Sequence, residues 1–167
     1  RTVYWVARAE HPLARRERVS AEEVLQYPFV APAQIPPRVL DPLLKAHARA
    51  AATSRGPTLS LPAVRCDGLA PAKRIVACSD AVTGSILSCV SSELKSGQFV
   101  LLGAEPWLTL QYGAVSLKGR PWSQAAVRMY EYVREAERQV DAQEADLLRR
   151  FGRKRTGQRR RAAAASS

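Results

Sequence analysis

Apolar and polar positions divide the chain into short runs with two different periods. Val3, Trp5 and Ala7 alternate with Tyr4, Val6 and Arg8, and both sets carry bulk. A strand covered on each face fits Thr2 to Ala7 better than an edge strand. Ile75 to Cys78 closes a helix, and Ala81 to Leu87 then reads as a short strand interrupted at Gly84, a residue that permits close backbone approach. Val90 to Lys95 is a brief helix with Leu94 inward, stopped by Gly97, and Phe99 to Leu102 is apolar enough for a strand buried on both faces. Helix, strand, short helix and returning strand within so few residues is α/β grammar.

The remainder follows the same alternation. His11-Pro12-Leu13-Ala14 reads as a turn, in which His11 caps local backbone; no nucleophile pattern accompanies it. Ser20-Ala21-Glu22-Glu23 is a capping box, with Val19 and Val24 as its hydrophobic staple. A helix from Ala21 to Gln26 is expected, then a strand at Phe29-Val30 running into Ala31 to Gln34. Asp41-Pro42 reads as a cap and first-turn proline, and the helix after it is expected to bury Leu43, Leu44, His47, Ala48 and Ala51. Thr53 to Pro57 is a turn, Leu59, Leu61 and Val64 mark a strand, and Asp67 is placed to cap a helix over Leu69 to Cys78. Repeated units of this kind predict a mostly parallel sheet. Alternation at Leu108, Leu110 and Tyr112 predicts a further strand through Leu117. Ser123 caps a last helix with Ala126, Met129, Tyr130 and Val133 in its stripe, which thins beyond Arg138 to Val140 and Leu147-Leu148.

Composition adds three constraints. The 167 residues, 46% hydrophobic and 25% charged, are those of an ordinary globular domain. The net charge of +11 is local: Arg149 to Arg161 holds eight basic residues and no acidic one, leaving 18 basic against 15 acidic elsewhere. The body of the chain is therefore not a polyanion-binding surface, and residues 149–167 read as a disordered tail with non-specific DNA contact as a secondary role. Three cysteines without paired spacing point to reduced thiols and a cytoplasmic setting, with Cys78 and Cys89 as small core residues. Two histidines build no zinc constellation. No nucleophile elbow, phosphate loop or apolar carboxylate pair is present, so neither an enzyme nor a cofactor is expected. No apolar run approaches the roughly 18 residues of a membrane helix.

Four stretches in order carry a resemblance. EHPLA at Glu10 to Ala14, VSAEEVLQYPFV from Val19, LKSGQFVLL from Leu94 and YGAVSLKGRPWSQAA from Tyr112 resemble the effector-binding domain of LysR-type transcriptional regulators, over residues 1 to about 135. The resemblance implies an α/β, Rossmann-like fold of the type 2 periplasmic-binding-protein kind, a mostly parallel sheet flanked by helices. It implies that residues 1–8 cross over from a first subdomain, 9–104 form the second, and 105–148 return to the first and end in a helix. The chain is then read as a fragment, with unpaired edges and exposed apolar surface marked by Trp5 and Tyr112. DNA would be bound through an N-terminal winged helix-turn-helix and the regulator would be a homo-oligomer, dimer or tetramer. No membrane partner is implied.

In open α/β sheets ligands lie outside the carboxyl ends of strands. That rule and the resemblance together select Pro32, Ala33 and Gln34 after one strand and Val82, Thr83, Gly84 and Ser85 on another. Gln34, Thr83 and Ser85 would donate hydrogen bonds to a small polar or anionic effector. The alternative is a solute-binding protein of the same fold with a transport role.

Overall fold

The computed structural model describes residues 1–32, 34–54, 59–119 and 121–152. In chain order the elements are β1 (Tyr4–Arg8), α1 (Ala21–Val24), β2 (Phe29–Pro32), α2 (Pro37–Thr53), β3 (Val64–Cys66) and α3 (Leu69–Ala77). They continue with β4 (Val82–Ser85), a 3₁₀ turn (Leu87–Val90) that runs into α4 (Ser91–Lys95), β5 (Phe99–Gly103) and α5 (Gln124–Phe151). The strands form a five-stranded sheet in the order β3-β2-β4-β1-β5. β2 pairs in parallel with β3 and β4, whereas β1 is antiparallel to β4 and β5. Four strands thus share a direction, as helical crossovers require, and β1 threads between them the other way.

The two-faced bulk of β1 is what makes it central. Trp5 and Ala7 enter one core with Phe29, Ala31, Val82 and the inner faces of α1 and α2. Val6 enters the other with Val30, Leu101, Val76 of α3 and Leu94 of α4. Trp5, Val6 and Ala7 are at most 1% exposed, and burial of each valine-sized side chain contributes ~1.5–3 kcal/mol. Trp5 meets Phe29 and Trp107 edge-on at 5.6 and 6.2 Å. It is therefore not a marker of exposed surface; Tyr112, 56% exposed, is.

The capping box forms: the Ser20 amide donates to Glu23 Oε2 at 2.9 Å and the Glu23 amide to Ser20 Oγ at 3.2 Å. α1 stops at Val24, two residues short of the expected end. α2 departs further. It starts at Pro37, where a missing N–H costs nothing, and Pro42 lies inside it. The start turns the buried stripe to Val39, Leu43, Ala46 and Ala50; Leu44 and Ala48 face solvent, and His47 and Ala51 are half-buried. Leu59 and Leu61 precede β3 rather than forming it, and Gly68, not Asp67, occupies the cap position of α3. Gly68 takes φ +123°, which a side chain at that position would resist. Cys66 is buried, but Cys78 and Cys89 are exposed, against the core role expected of them.

The segment after β5 does not pair as a strand. Its described contact of that kind is a single antiparallel bridge, Thr2 to Thr109, and residues 110–117 belong to no helix or strand. Ser123 Oγ caps α5 by accepting from the Ala126 amide at 3.2 Å. The first half of α5 is bare: Met129, Tyr130 and Val133 are 64, 40 and 46% exposed. Its second half docks instead, with Leu147 1% exposed in the core beside Leu87, Val90 and Leu94. The helix reaches Phe151, so Arg149 and Arg150 belong to it; residues 153–167 of the expected tail lie outside the described residues.

Candidate functional site

Parallel pairing puts the two selected segments side by side. Phe29 lies opposite Val82 and Val30 opposite Thr83, so β2 and β4 end at the same edge of the sheet. Because β1 is antiparallel, its opening residue Tyr4, opposite Ser85, reaches that edge too. The crossing segments meet there as well: the Val3 amide donates to the Leu108 carbonyl at 2.9 Å and the Leu110 amide to the Arg1 carbonyl at 2.8 Å.

The selected residues do not all face the same way. Ser85 is 6% exposed and its hydroxyl donates to the adjacent Ile86 carbonyl at 3.1 Å. Gln34 is exposed just beyond β2. Thr83, 2% exposed, donates its hydroxyl to the Val30 carbonyl at 2.9 Å, so that proton is committed to joining β4 and β2. Val82 is wholly buried among Trp5, Phe29 and Ala31 and serves as packing. At Gly84 a Cβ would stand 3.1 Å from Val3 Cγ1, so the glycine lets β1 and β4 close up rather than leaving room for a ligand. Pro32 pairs with Cys66 in the β2–β3 ladder, and Ala33 lies outside the described residues.

Sequence reasoning missed a polar network beside this edge. Arg1, with a side chain 8% exposed, sits among Glu137, Asp141 and Glu144 of α5, the last two at 2.9 Å, and also bonds Tyr112 Oη. Burial works against its charge, and the bonds to Glu137, Tyr112 and Glu144 outweigh burial and hold the guanidinium above the ordinary arginine range. The other oxygen of Glu144 accepts from the Ser88 amide at 3.1 Å and the Ser88 hydroxyl at 2.8 Å. Tyr4 is pushed up, first by burial and then by the Glu144 charge. The spacing of Glu137, Asp141 and Glu144 on one helix face was the available signal.

His11 behaves as the turn residue expected. It is 2% exposed; Nδ1 accepts from the Leu13 amide at 3.1 Å and Nε2 lies 3.2 Å from the Asp80 carbonyl. Burial pulls its pKa down. Nearby, Ser79 Oγ accepts from the Ala81 amide at 3.2 Å, and Arg8 reaches Asp80 at 2.8 Å, which fixes the turn into β4. A separate open groove, lined by Val115, Leu117, Trp122, Met129, Tyr130 and Val133, contains none of the selected residues.

The family model described as LysR substrate binding domain matches residues 1–138. The chain belongs to this family. No curated protein and no solved structure gives a significant match. As a LysR substrate-binding domain it is an effector-binding regulatory domain of LysR regulators, and the mixed sheet fits the type 2 periplasmic-binding-protein-like fold that the sequence implied. Among the described residues no helix is long and apolar enough to cross a membrane. The match stops within α5, so Glu144, Leu147 and Phe151 lie past the part this LysR domain shares with its family.

Proposed function

We propose that this domain senses a small polar or anionic effector at the carboxyl ends of β2 and β4. The observation that supports the reading is the parallel register of those strands, whose carboxyl ends therefore lie on the same side of the sheet, near the paired crossing segments. Ser85 Oγ and the Gln34 amide supply the ligand's hydrogen bonds, while Thr83 holds the floor together through Val30. The bare apolar face of α5 and residues 112–117 supports the rest of the first subdomain packed there, which would form the opposite wall of a cleft. In the regulator the effector acts through its different affinity for two arrangements of an oligomer, and DNA is reached through a winged helix-turn-helix. The transport reading has nothing in its favour, since the family is one of regulators.

The test is a thermal-shift panel of small carboxylic acids and polyols on the chain, followed by titration of any stabilising compound. Ser85→Ala and Gln34→Ala should each weaken its binding by ~1–3 kcal/mol, about 5- to 150-fold in Kd, without loss of fold. Undiminished binding to both variants would remove this edge as the site.

A further inference from the structure

The end of α5 makes contacts that effector binding alone does not require. It lies past residue 138, where the family match stops, yet it docks firmly: Leu147 is buried against the 3₁₀ turn and α4, and Phe151 packs on the same cluster. Glu137, Asp141 and Glu144 follow at intervals that align them on one face, all turned to Arg1. Glu137 also accepts from the Tyr112 hydroxyl, which lies in the segment next to the crossing, whereas Glu144 reaches to the far side of the sheet end, to Ser88. One oxygen meets Arg1 Nη1 at 2.9 Å and the other takes both the amide and the hydroxyl of Ser88, with the carboxylate side chain 15% exposed.

Arg1 and Ser88 belong to parts of the domain with different jobs. Arg1 lies in the crossing segment, laced to Leu108 and Leu110 by backbone bonds. Ser88 stands three residues past Ser85, on the corner that follows β4. A single half-buried carboxylate therefore joins the crossing to the corner of the candidate site. We propose that the end of α5 is a strap and that Glu144 is its latch, holding the crossing segment and the β4 corner in one arrangement. A shift of the crossing relative to β4 must break either the Arg1 or the Ser88 side of that carboxylate, so the strap biases the domain toward the latched arrangement. The role of the latch in effector response rests on the proposed function; the mechanical link does not.

Amide hydrogen exchange on the full chain tests it, with no effector present, so that a failure here is separate from a failure of the effector reading. Opening of the latch should appear at two distant places together. In Glu144→Ala the Ser88 amide and the crossing amides of Val3 and Leu110 should all exchange roughly tenfold faster or more, while the core amides of Val6 and Val30 keep their rates. Glu144→Gln separates the two sides: its amide oxygen still serves Ser88, but its NH₂ faces the Arg1 donors. Val3 and Leu110 should then accelerate by roughly threefold or more with Ser88 nearly unchanged. Glu137→Gln, which leaves Arg1 with Asp141 and Glu144, should move none of them. Acceleration at Ser88 alone in Glu144→Ala would overturn the latch. If that variant loosens the core amides equally, Glu144→Gln decides, and unchanged Val3 and Leu110 there overturn it.

Discussion

Replacing Leu147 by alanine asks whether the end of α5 is part of the folded domain. Leu147 is 1% exposed against Leu87, Val90 and Leu94, whereas its neighbour Leu148 is 42% exposed. Truncation to alanine removes about three carbons, a transfer loss of ~2.4 kcal/mol at ~0.8 kcal/mol each. A cavity left between helix and sheet would add to this, within the usual ~2–5 kcal/mol for such a change. A docked helix end can also release, so the cost cannot exceed the free energy of docking it, and ~2–3 kcal/mol is expected. Leu148→Ala should cost under about 0.5 kcal/mol, as surface substitutions do. Urea unfolding of both variants at neutral pH measures the difference, and the thermal midpoint of Leu147→Ala should fall by roughly 5–10 °C. Equal, small losses in the two variants would refute the docking of α5.

Three further outcomes follow from the geometry. Thr83→Val should lose ~1 kcal/mol in urea unfolding, because the Val30 carbonyl loses its donor, yet leave effector affinity within about twofold. Gly84→Val must push Val3 aside and should cost ~1–3 kcal/mol by the same assay. His11 has a folded pKa below its ordinary value of 6.5, so the unfolded chain takes up the proton first as pH falls. The stability it protects is complete above that value and declines as pH drops below it; unfolding at pH 7.5 and 5 should show a smaller decline in His11→Gln than in the parent.

What the sequence made legible was local or repeated. The Ser20–Glu23 box is written within four residues and formed as read. The bulk on both faces of Thr2 to Ala7 placed that strand inside the sheet, where β1 is found between β4 and β5. The start of α2 was read at Asp41-Pro42, whereas the helix begins at Pro37, a residue that suits a first turn equally well. The packing of Val39 in the core decided it, and that packing is tertiary. Cys78 and Cys89 have apolar neighbours in sequence, but Cys78 at the end of α3 and Cys89 within the 3₁₀ turn both face solvent. At the candidate site α/β rules selected the carboxyl ends of β2 and β4, but neither the pairing of those strands nor the direction of each side chain was read. Thr83 and Gly84 differ by one position in a strand, enough to send one toward Val30 and Val6 and leave the other against Val3. Arg1 and Glu144 stand 143 residues apart, beyond any local pattern.

The central claim is where the effector binds, and amide chemical-shift mapping of the labelled chain tests it most directly. A compound that stabilises the domain should shift Gln34, Gly84, Ser85 and Ile86 most, with smaller changes at Val3 and Ser88 as the crossing and corner respond. Shifts centred on Val115, Trp122 and Met129, with the edge of β2 and β4 silent, would contradict it.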